Sequence, residues 1–191
     1  MSPSVASLVA LALVSSFDGA LASQEPGIPD LALAATDGKS YPLRRTVAEA
    51  RYTVFVFFSA KCPCVAAHDQ RLSTLARSYQ PRDVQFFLVD SEVGDALERG
   101  RGEVQRRNYP FPILADPGAR LARALGARFA TTSVVVDREW RIRYRGGIDS
   151  EKRDPNPNGR FYLQDALTAL LAGREPDPAE TKSLGCYLRT S

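Results

Sequence analysis

The chain has 191 residues, 44% of them hydrophobic, which is enough for one domain with a complete core. Its 25 Lys and Arg residues against 22 Asp and Glu leave a formal net charge of +3. Arginine supplies nearly all the positive charge and is scattered from Arg44 to Arg189; no basic stripe interleaved with aromatics exists, so no nucleic-acid partner is expected.

Residues Val5 to Val14 are almost wholly apolar, and Gly19-Ala20-Leu21-Ala22 ends in a small-residue site of the A-x-A kind. This pattern predicts a secretory signal peptide over residues 1–22, cleaved after Ala22. Its one charged side chain is Asp18, so removing it raises the net charge to +4. The apolar run is too short to span a bilayer, so no stable membrane insertion is expected. No cysteine follows the cleavage site, which argues against a lipoprotein. The expected location is periplasmic or secreted, where thiols can be oxidised. Three cysteines, Cys62, Cys64 and Cys186, are odd for a purely structural disulfide framework. One at least is free, alternately paired or bound to something.

Ser23 to Pro29 is a polar lead-in. Asp30 to Ala34 alternates around Leu31 and Leu33, Asp37-Gly38 makes a turn, and Ser40 to Leu43 resumes an extended pattern, which predicts a β-hairpin. Val47 to Arg51 is a short connection. Val54 to Phe58 is an unbroken apolar run, the mark of a strand buried on both faces. Ser59-Ala60-Lys61 breaks it, and Cys62-Pro63 precedes a helix from about Pro63 to Tyr79, with Val65, Leu72, Leu75 and Tyr79 on one face and Pro81 beyond its end.

Pro is tolerated in the first helical turn and disfavoured inside a helix, so Cys62 belongs at the helix N-terminus. There the unpaired N–H groups and the positive end of the dipole favour a thiolate, which is both nucleophile and metal ligand. Lys61 adds a nearby charge that could lower the thiol pKa or serve only the surface. Ser59 could donate a hydrogen bond to the thiolate or be only a turn residue. His68 lies one turn beyond Cys64, between Val65 and Leu72 on the apolar face. It could complete a copper or zinc site with Cys62 and Cys64, or be a partly buried neutral ring making one hydrogen bond.

Val84 to Val89 predicts a second buried strand, Val93 to Asn108 a charged surface helix, and Phe111 to Leu114 a short strand before the turn at Asp116-Pro117-Gly118. Leu121 and Leu125 mark a short helix that Gly126 terminates. Ser133 to Val136 and Arg141 to Tyr144 flank a turn at Asp137–Trp140 and read as a hairpin, with Trp140 a packing residue. A polar loop follows from Gly146 to Gly159, then an amphipathic helix from Phe161 to Ala172 stopped by Gly173. The organisation expected is a signal peptide at 1–22, one domain at 23–173 and a C-terminal tail at 174–191 carrying Gly185-Cys186. Strands alternating with helices and closing on an antiparallel hairpin predict an α/β fold with a mixed central sheet flanked by helices.

The chain resembles the redoxin group of the thioredoxin-like superfamily, the peroxiredoxin-like proteins of the alkyl-hydroperoxide-reductase and thiol-specific-antioxidant type. The resemblance runs from Pro29 to Leu188 and rests on Pro29–Leu43, Phe57–Cys64, Phe111–Gly126 and Thr132–Asp149 in that order. The nearest pattern pairs Ser59-Ala60-Lys61-Cys62-Pro63 with Thr181-Lys182-Ser183-Leu184-Gly185-Cys186. It implies a thioredoxin-like fold and an exported thiol oxidoreductase. Cys62 would attack a protein disulfide or a peroxide and a second cysteine would resolve it, the expected disulfide being Cys62–Cys186 or Cys64–Cys186, with the first favoured. An unidentified thiol reductant would close the cycle, with no cofactor and no resident metal. The position six residues before Asp137, where such oxidoreductases carry a cis-proline and peroxiredoxins an activating arginine, holds Thr131, with Thr132 next to it as the other substrate-side candidate. Weak peroxide reduction relative to disulfide reduction is therefore expected.

Overall fold

The computed structural model describes residues 29–153 and 156–191, so the expected signal peptide lies outside the described residues. An N-terminal hairpin, β1 (Ala32–Ala34) with β2 (Ser40–Pro42), leads into α1 (Leu43–Ala48) and β3 (Tyr52–Phe58). Then follow α2 (Pro63–Tyr79), β4 (Val84–Asp90), α3 (Ala96–Arg107), β5 (Ile113–Ala115), α4 (Arg120–Ala124), β6 (Ser133–Asp137), β7 (Ile142–Gly146) and α5 (Tyr162–Leu171). No helix among the described residues is long and apolar enough to cross a membrane.

The sheet order is β5-β4-β3-β6-β7. The pairs β3–β4 and β4–β5 are parallel and need crossovers, which α2 and α3 provide. The pairs β3–β6 and β6–β7 are antiparallel. Strand β3 is central and all seven of its residues are buried, as an unbroken Val/Phe run requires. Burying each of its three phenylalanines contributes about 1.5–3 kcal/mol, so the strand that ends at the cysteines is also the most firmly held. The pairing of β3 with β6 continues past the strand end, where Phe57 N–H donates to Thr132 O at 2.8 Å and Thr131 N–H to Phe57 O at 2.8 Å. That step brings Thr131 beside the end of β3.

Three boundaries differ from the periodicity. Leu43 opens α1 rather than closing β2, because Leu43, Thr46 and Val47 share a helical face and are all buried. Pro112 has no N–H for the ladder, so β5 starts at Ile113 while Phe111 stacks on Phe86 and Tyr109. Helix α3 starts at Ala96 because the Asp95 carboxylate accepts from Glu98 N–H at 3.0 Å and caps it, leaving Val93 in the approach loop.

The tail after α5 is organised although it has no periodicity. Residues 179–181 lie along the outer edge of β7, where Arg145 N–H donates to Ala179 O and Thr181 N–H to Arg145 O, both at 3.0 Å. The edge strand is thereby covered. The chain then crosses to residues 128–130, as Ala130 N–H donates to Cys186 O at 2.8 Å and Leu188 N–H to Arg128 O at 3.0 Å.

Candidate active site

Between β3 and α2 the chain turns in four residues, closed by Cys62 N–H donating to Ser59 O at 3.1 Å. Cys62 is the residue before the first helical turn, with extended backbone, and Pro63 follows at its first position. Both Cys62 and Cys64 are buried, and Cys186 is half-buried. All three are free thiols, and their sulfurs lie within 4.8 Å of one another. The Cys62 and Cys186 sulfurs are 2.8 Å apart, inside the contact distance of two non-bonded sulfurs and outside the ~2.05 Å of a disulfide bond.

The two thiols differ in proton affinity. Burial works against ionising Cys62, but hydrogen bonds from the Cys186 thiol and backbone and from the Val65 and Cys64 N–H groups outweigh it, so its pKa falls below the ordinary thiol value. Burial, the hydrogen bond to Cys62 and the negative charges of Cys62 and Cys64 push the Cys186 thiol up to about 12. The arrangement is a thiolate at a helix N-terminus with a neutral thiol donating to it.

Ser59 is buried, and its hydroxyl helps hold the Glu92 carboxyl ionised. Lys61 is exposed to solvent, where its charge is screened. Thr131 is buried with φ of 79°, a left-handed conformation that costs a β-branched residue about 1–3 kcal/mol. Thr132 is buried next to it.

His68 is a buried, hydrogen-bonded ring rather than a metal ligand. Its Nδ1 lies 2.6 Å from Cys64 O and its Nε2 3.0 Å from Asp149 Oδ1, so neither nitrogen faces the thiols. Instead of one hydrogen bond it meets two acceptors, and it donates to both only when protonated, which burial opposes by lowering its pKa. Asp149 is also paired with Arg71. The imidazole thus braces the Cys64 carbonyl from beneath rather than serving as a ligand.

Two further residues had no local signal. Arg107, on α3, donates to Ala60 O at 3.2 Å and to Asp69 at 2.8 Å, holding the turn from outside. Glu92 is buried just after β4, where Arg189 donates to it from Nε at 3.3 Å and from the guanidinium terminus at 3.1 Å. Burial opposes ionising Glu92, but the hydrogen bonds of Arg189 and Ser59 hold its carboxyl below the usual range. One carboxylate therefore ties the active turn to the tail. Gly185 fits there because it has no side chain: a Cβ would lie 1.6 Å from Ala130 O and 2.9 Å from Thr131 Oγ1.

The family model described as Redoxin matches residues 22–158. Among solved structures, a hypothetical protein of Sinorhizobium meliloti 1021 is 25% identical with a TM-score of 0.77, covering 86% of this chain and 93% of that one. An uncharacterized conserved protein of Geobacillus kaustophilus is 29% identical with a TM-score of 0.76, covering 85% and 89%. PrxQ of Xylella fastidiosa, at 13% identity, a TM-score of 0.59 and coverage of 76% and 91%, shares the fold. No curated protein matches this chain.

Proposed function

The chain belongs to the Redoxin family, whose members are thiol-based oxidoreductases, and on that premise we propose that it is an exported thiol–disulfide oxidoreductase with Cys62 as nucleophile and Cys186 as resolving residue. One observation carries this reading: the thiol of a residue 124 positions away lies 2.8 Å from the helix-capping Cys62.

The Cys62 thiolate attacks one sulfur of a substrate disulfide; an S–S bond forms to Cys62, the substrate S–S bond breaks, and the leaving sulfur takes the electron pair. Attack consumes the negative charge that keeps the Cys186 proton in place. Cys186 then loses its proton more readily and attacks Cys62, forming the internal disulfide and releasing the second substrate thiol. An external thiol reductant restores both cysteines. With a peroxide, attack breaks the O–O bond, Cys62 becomes a sulfenic acid, and Cys186 displaces water from it. Peroxide is the poorer substrate, since Thr131 offers an alcohol where a cation would stabilise the departing oxygen. Cys64, third in the cluster, gives the competing pair Cys64–Cys186. A Cys62–Cys64 bridge would close a very small ring across Pro63 and would be strained, although the sulfurs are near one another.

Tryptic mapping of the protein without reductant tests the pairing. The expected product is a Cys62–Cys186 peptide, and Cys62→Ser abolishes turnover of a disulfide substrate. A dominant Cys62–Cys64 peptide, or a Cys186–Cys186 dimer, would remove Cys186 as the resolving residue.

A further inference from the structure

The sequence leads one to expect no resident metal, and the metal set it offers uses His68, whose two nitrogens are turned elsewhere. We propose that the reduced protein binds one copper(I) ion through the sulfurs of Cys62, Cys64 and Cys186. This inference rests on the three-thiol cluster, not on its turnover.

The three sulfurs lie within 4.8 Å of one another, and two of them are on buried residues. A metal–thiolate bond of about 2.3 Å places the sulfurs of a trigonal site about 4 Å apart. The Cys62–Cys186 pair, now at 2.8 Å, must open to that spacing. Cys186 is on the docked tail and half-buried, so it is the ligand free to withdraw.

Thiolates are soft ligands and select copper(I) or zinc over hard cations. The number of donors then separates those two. Zinc takes either four protein ligands or three with an open position for water, and the described residues that cluster with ligating atoms are these three cysteines alone, two of them buried. Copper(I), a d10 monovalent ion, is satisfied by three thiolates. The surplus negative charge faces the N-terminus of α2, whose dipole favours it. Binding displaces the thiol protons, and the occupied site holds all three sulfurs out of disulfide exchange. The metal-bound and disulfide forms are therefore alternatives of one cluster.

The test is an anaerobic titration of fully reduced protein with copper(I) buffered by a chromophoric chelator. Native mass spectrometry gives the stoichiometry and X-ray absorption the first coordination sphere. One copper per chain, three sulfur scatterers and a more than tenfold weaker complex for Cys186→Ala are expected, since loss of a ligand exceeds the roughly 10–100-fold effect of outer-sphere changes. Two sulfur scatterers in the wild-type protein, copper lost entirely to the chelator, or unchanged affinity in Cys186→Ala would overturn the proposal. A parallel titration with zinc(II) alone is the control; a zinc complex tighter than the copper one would overturn the copper assignment. Because all of this is read on resting protein, failure here leaves the disulfide chemistry standing, and failure of turnover leaves the metal affinity measurable.

Discussion

Cys62 and Cys186 hold their protons with opposite strength although their sulfurs touch. Cys62 is lowered by donors that converge on it, and Cys186 is raised by burial and by the charge it faces. A depressed folded-state pKa means the native state binds fewer protons than the unfolded chain between the two values. Cys62 therefore adds stability as pH rises from its folded pKa to the ordinary thiol value, and loses that contribution as pH falls back. Cys186, raised, works in the other direction above that value, its contribution being lost as pH rises toward about 12. The rate of Cys62 alkylation against pH is expected to titrate below the ordinary thiol range. In Cys186→Ala the midpoint should move up, because one donor is lost. An unchanged midpoint would mean that the α2 N–H groups alone set the thiolate.

At the scale of elements, the tail works as a short strand added to residues 128–130. Its close approach depends on Gly185, whose missing Cβ leaves room for the Ala130 carbonyl. The position needs absence of bulk rather than a left-handed backbone. Gly185→Ala should push the tail away at a cost of about 1–3 kcal/mol, the usual penalty of overpacking. That corresponds to roughly 5- to 150-fold faster alkylation of Cys62 and a lower yield of the Cys62–Cys186 peptide, with an unchanged far-ultraviolet circular dichroism spectrum. Wild-type kinetics in that variant would show that the tail does not guard the thiolate. Glu92 gives the docking a pH dependence as well. Its carboxyl is held below the usual range, so the clamp on Arg189 is present at neutral pH and lost as pH falls through that lowered value.

For the whole molecule, a Cys62–Cys186 bond would join residues 124 apart in sequence. In the chain-entropy description such a loop constrains the unfolded state by up to about 5 kcal/mol. A chain of this length shifts its melting temperature by roughly 2–4 °C per kcal/mol, so the oxidised protein should melt above the reduced one by up to about 10–20 °C. Differential scanning calorimetry of both forms checks this, with Cys62→Ser as the control that should lose the difference. Equal melting temperatures for oxidised and reduced wild type would argue against a long-range bond.

Much of this protein was legible locally. The five-residue apolar run, the break at Ser59, and Cys62 before Pro63 specify a buried strand, a turn and a capped helix, because burial and helix capping act on neighbours in sequence. The order of strands and helices likewise carried the mixed sheet, and Gly185-Cys186 stood out in an otherwise featureless tail. Tertiary structure decided the rest. Periodicity places His68 on an apolar face, but only the arrival of Asp149 determines what its nitrogens meet. Glu92 and Arg107 carry no local signal of their roles, which appear only when Arg189 and the Ala60 carbonyl are brought to them. Even the candidate cluster changed, from Cys62, Cys64 and His68 to Cys62, Cys64 and Cys186. Composition and spacing encode which stretches are buried; the partners of a polar group come from residues dozens of positions away, and only the packed chain brings them together.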